Sequence, residues 1–81
     1  MVVNILCMQD EVFLREFGIR LKLYRIKSNF TQAQLGEMVN ISEHRISQIE
    51  NGKCNLTLKT VNRLAVALDV IPVKFFNFEG I

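Results

Sequence analysis

The segment from Thr31 to Lys53, which reads TQAQLGEMVNISEHRISQIENGK, constrains the fold of this 81-residue chain more than any other. It holds two short helix patterns separated by a tight turn. Thr31 can cap the first helix and Ser42 the second, because both side chains can accept a hydrogen bond from a free backbone N–H group. The predicted core positions are Leu35, Met38 and Val39 in the first pattern and Ile46 and Ile49 in the second. Asn40 lies between the patterns, and asparagine tolerates the left-handed backbone conformation that such a turn uses.

The outward face of the second helix carries mostly uncharged hydrogen-bonding side chains, where a solvated helix usually carries Lys and Glu. These residues recur at helical spacing and are Glu43, His44, Ser47, Gln48 and Asn51. Glutamine and asparagine can pair bidentately with adenine in the major groove of DNA. This face is therefore a candidate for reading base edges.

The segment resembles the helix-turn-helix of the lambda-repressor/Cro superfamily, the XRE-type regulators. The resemblance covers roughly residues 14–76, and its pieces are TQAQLGEMV, IS, EHRISQIENGK and LKTVNRLAVALDV. Asn40 stands where the family usually has Gly, and Leu56 stands where it usually has Pro. Phage Cro-type repressors and restriction–modification controller proteins have a similar length. The resemblance to the controller proteins is the closer one, because they also continue from NLTLKT-like turns into an aromatic-rich end.

The resemblance implies two groups of DNA contacts on this chain. The residues implied to read bases are Glu43, His44 and Gln48, and those implied to contact the DNA backbone are Gln32, Arg45, Ser47, Asn51 and Lys53. Contacts to phosphates set the register of a protein on DNA, whereas contacts to bases set its sequence specificity. Alternatives stay open for four of these residues. Gln32 can be a plain solvated side chain, and His44 can contact a phosphate. Glu43 can instead interact favourably with the helix N-terminus, and Arg45 can contact a guanine or only shield its helix.

An internal ion pair is also implied by the resemblance. Arg25 and Glu50 match a pair that is often buried together in the superfamily. Glu50 directly follows Ile49 and so lies beside the inward stripe of its helix, which favours a partly enclosed site. The alternative is that both charges lie on the helix surface.

Apolar periodicity over the whole chain predicts an all-α fold, a five-helix lambda-repressor-like DNA-binding domain. The first helix runs from about Val12 to Lys27. Its apolar face is formed by Leu14, Phe17, Leu21 and Tyr24. Its other positions include Arg15, Arg20, Lys22 and Lys27. Gly52 ends the third helix. Thr57 caps a fourth helix whose core residues are Leu58, Val61, Leu64, Ala65 and Leu68. Pro72 begins a short fifth helix that ends at Phe76.

The chain ends with the aromatic-rich segment VIPVKFFNFEGI. Phe75 is expected to close the core, but burial of all three of its Phe residues in so small a domain is implausible. An apolar patch on a soluble protein usually marks an interface. We therefore expect Phe76, Phe78 and Ile81 to form a homodimer interface, the alternative being a disordered tail after Asn77.

Residues 10–81 are predicted to form a single helix-turn-helix domain that includes this C-terminal dimerisation segment. Residues 1–9 are predicted to form an N-terminal arm or extension. Two interpretations of the first seven residues, MVVNILC, stay open: a β-prone arm that pairs across a dimer, or a poorly ordered extension.

Positive charge is concentrated in the middle of the chain. The whole sequence has ten basic and eight acidic residues, a net charge of +2. Residues 20–63 hold eight of the basic and three of the acidic residues, so this part has a net charge of +5. A basic segment that coincides with a helix-turn-helix pattern is typical of proteins that contact DNA phosphates.

The residue inventory argues against catalysis. His44 is the single histidine and has no plausible Ser or Cys partner arrangement, and neither a phosphate-binding glycine loop nor a metal-ligand cluster is present. We therefore expect no enzyme activity, no catalytic residues, no metal and no cofactor. Cys7 and Cys54 are predicted to be unpaired thiols. A chain of this size also leaves no room for a ligand pocket of typical volume, so no small-molecule effector is expected.

The expected location is the cytoplasm, with no membrane partner. The longest apolar run is far below the ~20 residues that span a membrane. The opening MVVNILCM is apolar, but it lacks the basic region and the small-residue cleavage site of a secretory signal.

Together these features predict a sequence-specific transcription regulator that binds double-stranded DNA as a homodimer on a palindromic operator. The alternative is an antitoxin or interaction module whose main partner is a protein and whose DNA binding serves autoregulation. An adaptor that kept the fold and lost DNA binding is a third class. The polar face of the third helix argues against it.

Overall fold

The computed structural model describes residues 9–78. This part of the chain contains four α-helices and a 3₁₀ helix: α1 (Asp10–Lys27), α2 (Gln32–Val39), α3 (Glu43–Glu50), α4 (Leu58–Leu68) and the 3₁₀ helix (Pro72–Phe76). Residues 9–78 hold no strand, and the predicted all-α class is confirmed. Cys7, Ile81 and most of the predicted N-terminal arm lie outside the described residues.

Two predicted helix boundaries or types differ from the structure. The first helix begins at Asp10 rather than Val12, and Asp10 and Glu11 occupy its first turn, where acidic side chains interact favourably with the helix dipole. The fifth helix is a 3₁₀ helix rather than an α-helix. It has only five residues, and the N–H of Lys74 donates to the carbonyl of Ile71 three positions earlier, at 2.9 Å.

The helix starts are fixed by side-chain caps. The Thr31 hydroxyl accepts from the N–H of Gln34 at 3.0 Å, and the Gln34 side chain accepts from the N–H of Thr31 at 2.9 Å, which completes a capping box. Ser42 caps α3 and Thr57 caps α4 in the same way, at 3.1 and 3.2 Å. Asn40 has φ 60° and ψ 46°, so the tight turn between α2 and α3 uses the left-handed conformation.

One hydrophobic core joins all five elements. Its buried residues are Phe17 and Leu21 of α1, Leu35 and Val39 of α2, Ile46 and Ile49 of α3, Val61, Leu64, Ala65 and Leu68 of α4, and Phe75. Two predicted core positions are wrong. Met38 is 51% exposed, because Leu35, Gly36 and Val39 form the buried side of α2 and Met38 lies outside it. Leu58 is 84% exposed, because it begins α4 and the buried stripe starts one turn later, at Val61.

A glycine allows α1 and α3 to pack closely. A Cβ atom built on Gly18 would lie 2.5 Å from the carbonyl oxygens of Ile49 and Glu50, a distance that side-chain carbons do not reach. Any larger residue at this position would therefore push the end of α3 away from α1. This contact brings Glu50 beside α1, where Arg25 lies.

The C-terminal aromatic residues divide between core and surface. Phe75 is fully buried, with its ring centroid 5.3 Å from that of Phe17. Phe76 and Phe78 are half-buried, and both pack against Phe13 of α1, with centroids 5.9 and 5.4 Å apart. The chain therefore continues in contact with α1 beyond the end of the 3₁₀ helix, as far as the structure describes it.

No helix in the described residues is both long enough and apolar enough to cross a membrane.

Candidate nucleic-acid interface

The turn between α2 and α3 holds the two helices at a fixed angle. The N–H of Ile41 donates to the carbonyl of Gly36 at 2.8 Å, and a Cβ on Gly36 would collide with the carbonyl oxygen of Ile41. No role was predicted for Gly36. Its signal was a glycine inside a predicted helix, where glycine costs stability and so needs a packing reason.

The C-terminal end of α3 is held by three polar side chains, which we call the Glu50 network: Arg25, Gln32 and Glu50. The Arg25 Nε donates to Glu50 Oε2 at 2.6 Å, and its Nη2 donates to Glu50 Oε1 at 3.0 Å. Gln32 Nε2 donates to the same Oε1 at 3.0 Å. The side chains of Arg25 and Glu50 are 11% and 2% exposed, so this bidentate pair is buried. The network joins the end of α1, the start of α2 and the end of α3.

Gln32 has a second donor available beyond the network. One amide hydrogen is used by Glu50, and the residue is half-buried at the first position of α2. The other amide hydrogen lies on a side chain whose orientation Glu50 fixes. The backbone N–H groups at the start of α2 favour an anion at the same place.

The outward face of α3 presents the side chains that the sequence assigned to DNA. Glu43, His44 and Arg45 are exposed, and Ser47 and Gln48 are half-buried. Glu43 lies in the first turn, where its carboxylate also interacts favourably with the helix N-terminus. All five residues therefore belong to one short helix of eight residues, and none is in the hydrophobic core.

Asn51 and Lys53 follow directly after α3. Asn51 is exposed and its Nδ2 donates to the carbonyl of Ser47 at 2.8 Å, so this side chain also caps the helix end. Lys53 is exposed, and its backbone N–H donates to the carbonyl of Gln48 at 2.8 Å. The left-handed Gly52, at φ 71°, makes this tight exit from α3 possible.

Arg15 lies beside this exit, although no contact role was predicted for it. A Cβ on Gly52 would lie 2.7 Å from the Cα of Arg15, so the backbone of α1 passes directly against the turn after α3. The Arg15 side chain is exposed. Sequence gives no signal for this proximity, because the two residues are far apart along the chain and meet only through the packing of α1 on α3.

The described residues contain no group of His, Cys, Asp and Glu arranged to hold a metal ion. Cys54 is partly buried, and its Sγ lies 3.3 Å from the carbonyl oxygen of Asn55.

Comparison with known proteins agrees with this geometry. The family described as "Helix-turn-helix domain" matches residues 16–74. The restriction–modification controller protein C.AhdI from Aeromonas hydrophila is 30% identical, with 78% of this chain and 96% of that chain covered and a TM-score of 0.75. A point mutant of the controller protein C.Esp1396I is 30% identical, with 82% and 88% covered and a TM-score of 0.73. No curated protein sequence shows a significant match.

A third structure shares the fold alone. An HTH_3 family transcriptional regulator from Vibrio cholerae is 22% identical, with 88% of this chain and 40% of that chain covered and a TM-score of 0.79.

The fold is that of helix-turn-helix transcription regulators. The chain belongs to the helix-turn-helix domain family, and its similar structures include restriction–modification controller proteins.

Proposed function

We propose that this protein is a sequence-specific transcription regulator that binds a palindromic DNA operator as a homodimer. The observation that carries the proposal is the outward face of α3, where polar side chains are exposed on a helix whose base is fixed by the buried Glu50 network. A helix that is rigidly held and polar on its outer side suits the major groove. The similarity to two controller proteins supports the same function.

Base reading is assigned to Glu43, His44 and Gln48. Gln48 suits adenine, because its amide can both donate and accept at the adenine edge. His44 can donate to guanine, and Glu43 can accept from cytosine N4. His44 and Glu43 lie in the first turn of α3, and Gln48 lies one turn later on the same side.

Phosphate contacts are assigned to the residues around both ends of α3 and the start of α2. They are Gln32, Arg45, Ser47, Asn51 and Lys53, and we add Arg15 because it is exposed and lies beside Gly52. Arg15, Arg45 and Lys53 are exposed and positively charged, so they supply the electrostatic part of binding. The uncharged members set the register of α3 in the groove.

The first test is selection of bound sequences from a random DNA library, followed by a salt titration on the selected site. We expect a palindromic or pseudo-palindromic site whose half-sites are about one turn apart, ~34 Å. Arg15, Arg45 and Lys53 of two protomers would neutralise six phosphates. Affinity should therefore fall about 10³-fold between 50 and 200 mM salt. Failure to enrich any sequence, or binding that is insensitive to salt, would contradict DNA recognition.

The second prediction separates base reading from phosphate contact. Gln48→Ala should reduce discrimination at one base pair of each half-site by about 1–3 kcal/mol, because only that base loses its partner. Lys53→Ala should weaken all sequences to a similar extent and lower the salt dependence by about one unit of slope per contact. Binding of the selected site and of single-base variants measures both effects. Equal effects of Gln48→Ala on every variant would remove this residue from base reading.

The third prediction concerns assembly. Phe76 and Phe78 are half-buried beside the exposed ring of Phe13, and this surface is apolar. A two-fold pairing through it would place two α3 helices on successive major grooves. Sedimentation should therefore give twice the 9.4 kDa mass of the chain at micromolar concentration. Phe76→Glu should give the monomer, because a charge would be buried without a partner. A wild-type monomer, unchanged by this substitution, would contradict the dimer.

A further inference from the structure

Arg20 is a charged residue that the fold buries, although its position in the sequence pattern predicts a solvated site. It is 4% exposed. Its Nη1 donates to the carbonyl and to the carboxylate Oε1 of Glu16, both at 2.9 Å, and its Nε donates to the carbonyl of Asn77 at 3.2 Å. Its guanidinium carbon lies 4.9 Å from the ring centroid of Phe78. Arg20 therefore links α1 to the segment that follows the 3₁₀ helix.

The segment that Arg20 holds carries part of an aromatic surface. Phe13, Phe76 and Phe78, which we call the aromatic face, have ring centroids 5.4–6.3 Å apart. Phe13 is 41% exposed, and the other two rings are half-buried. These three rings come from the two ends of the described chain, so their arrangement depends on how the C-terminal segment lies along α1.

Packing alone does not explain an arginine at this position. A buried apolar side chain would fill the space without the cost of removing a charge from water. The guanidinium instead fixes the orientation of its partners. The edge of its plane donates to a backbone carbonyl, and its face stacks on a ring. Beyond the 3₁₀ helix, the Arg20 contacts fix both the backbone of Asn77 and the ring of Phe78.

We propose that Arg20 is the positioning residue of the dimer interface, and that it holds Asn77 and Phe78 so that the aromatic face meets the same face of a second copy. The proposal rests on the homodimer proposed above. It adds Phe13 as an interface residue and gives Glu16 the role of orienting Arg20 by their ion pair. Symmetric pairing of one face with itself is the commonest way in which identical chains form a closed dimer.

The experiment measures the dimer dissociation constant of full-length variants by sedimentation, with helix content checked by circular dichroism. Arg20→Met should raise this constant about tenfold or more while the helices remain, because the charge-assisted hydrogen bond to Asn77 and the stacking on Phe78, which orient the segment, are lost. Arg20→Lys should fall in between, since an ammonium keeps the charge but cannot form the fork. Lys22→Met, an exposed change on the same helix, should have no effect and is the matched control.

Two further variants keep the test decisive if Arg20→Met does not fold. Glu16→Gln removes the ion pair but leaves the Glu16 carbonyl as an acceptor, so it should weaken the dimer less than Arg20→Lys. Phe13→Glu changes none of the residues that Arg20 contacts, which are Glu16, Asn77 and Phe78, and should still weaken the dimer strongly. An unchanged dissociation constant in both would overturn the proposal.

The remaining outcomes distinguish this inference from the homodimer itself. A wild-type monomer would overturn both. A wild-type dimer that Phe76→Glu dissociates and Arg20→Met does not affect would overturn only the role of Arg20.

The outer side of α1 has a second apolar stripe formed by Ile19, Leu23 and Ile26, which are 44–53% exposed. A dimer that Leu23→Glu dissociates and Phe13→Glu leaves intact would place the interface on that stripe and overturn the proposal.

Discussion

Glu50→Ala is expected to lower the free energy of unfolding by about 3–5 kcal/mol, because it leaves the buried guanidinium of Arg25 without its carboxylate. Two hydrogen bonds from Arg25 and one from Gln32 would lose their acceptor. Urea denaturation followed by circular dichroism measures the change. The matched control is Glu37→Ala, an exposed acidic residue of α2, which should alter stability by less than about 0.5 kcal/mol.

A double replacement provides a second control for this ion pair. Arg25→Met with Glu50→Leu removes both charges together, so no unpaired charge remains in the interior. Its loss of stability should be smaller than that of Glu50→Ala alone. If Glu50→Ala unfolds at the same urea concentration as the wild type, the pair contributes nothing and α3 is held by apolar packing only.

Phe75→Ala should also lower the free energy of unfolding by about 3–5 kcal/mol, because it leaves a cavity where a fully buried ring stood. The ring packs against Phe17 and Tyr24 of α1, with centroids 5.3 and 6.0 Å away. The 3₁₀ helix would lose its main attachment to the core. Thermal and urea denaturation at one fixed protein concentration measure the loss.

Val73→Ala is the matched control for Phe75→Ala, since Val73 lies in the same 3₁₀ helix and is 63% exposed. It should alter stability by no more than about 0.5 kcal/mol. Equal stability of the two variants would mean that the 3₁₀ helix does not dock on α1 in solution, and the proposed dimer surface would lose its support.

The proposed DNA contacts and the proposed dimer interface both depend on contacts with α1. The Glu50 network fixes α3 relative to α1, and Arg20 fixes the C-terminal segment relative to the same helix. The distance between two reading helices in a dimer depends on both attachments. Loss of either attachment should therefore weaken binding to a palindromic site more than binding to a single half-site. Comparing the affinities for the selected operator and for its half-site measures this difference.

The sequence by itself determined the local features of this fold. Thr31, Ser42 and Thr57 cap helices because each hydroxyl meets a backbone N–H only three residues away. Asn40 adopts the left-handed turn for a reason contained in its own side chain and backbone. The polar face of α3 could be identified from spacing alone, since helical periodicity relates residues within two turns. The Arg25–Glu50 pair was suggested only by resemblance to a known pattern.

Only the tertiary structure decided which of these positions is covered and by what. Arg20 is buried because a segment 57 residues later lies over it, and Arg15 lies beside Gly52 because α1 packs on α3. Met38 fits the apolar spacing of α2 but lies outside the side of that helix that the fold buries. The physical reason is that periodicity gives the direction of a side chain around its own helix. Burial also depends on neighbouring helices, whose positions result from contacts between residues distant in sequence.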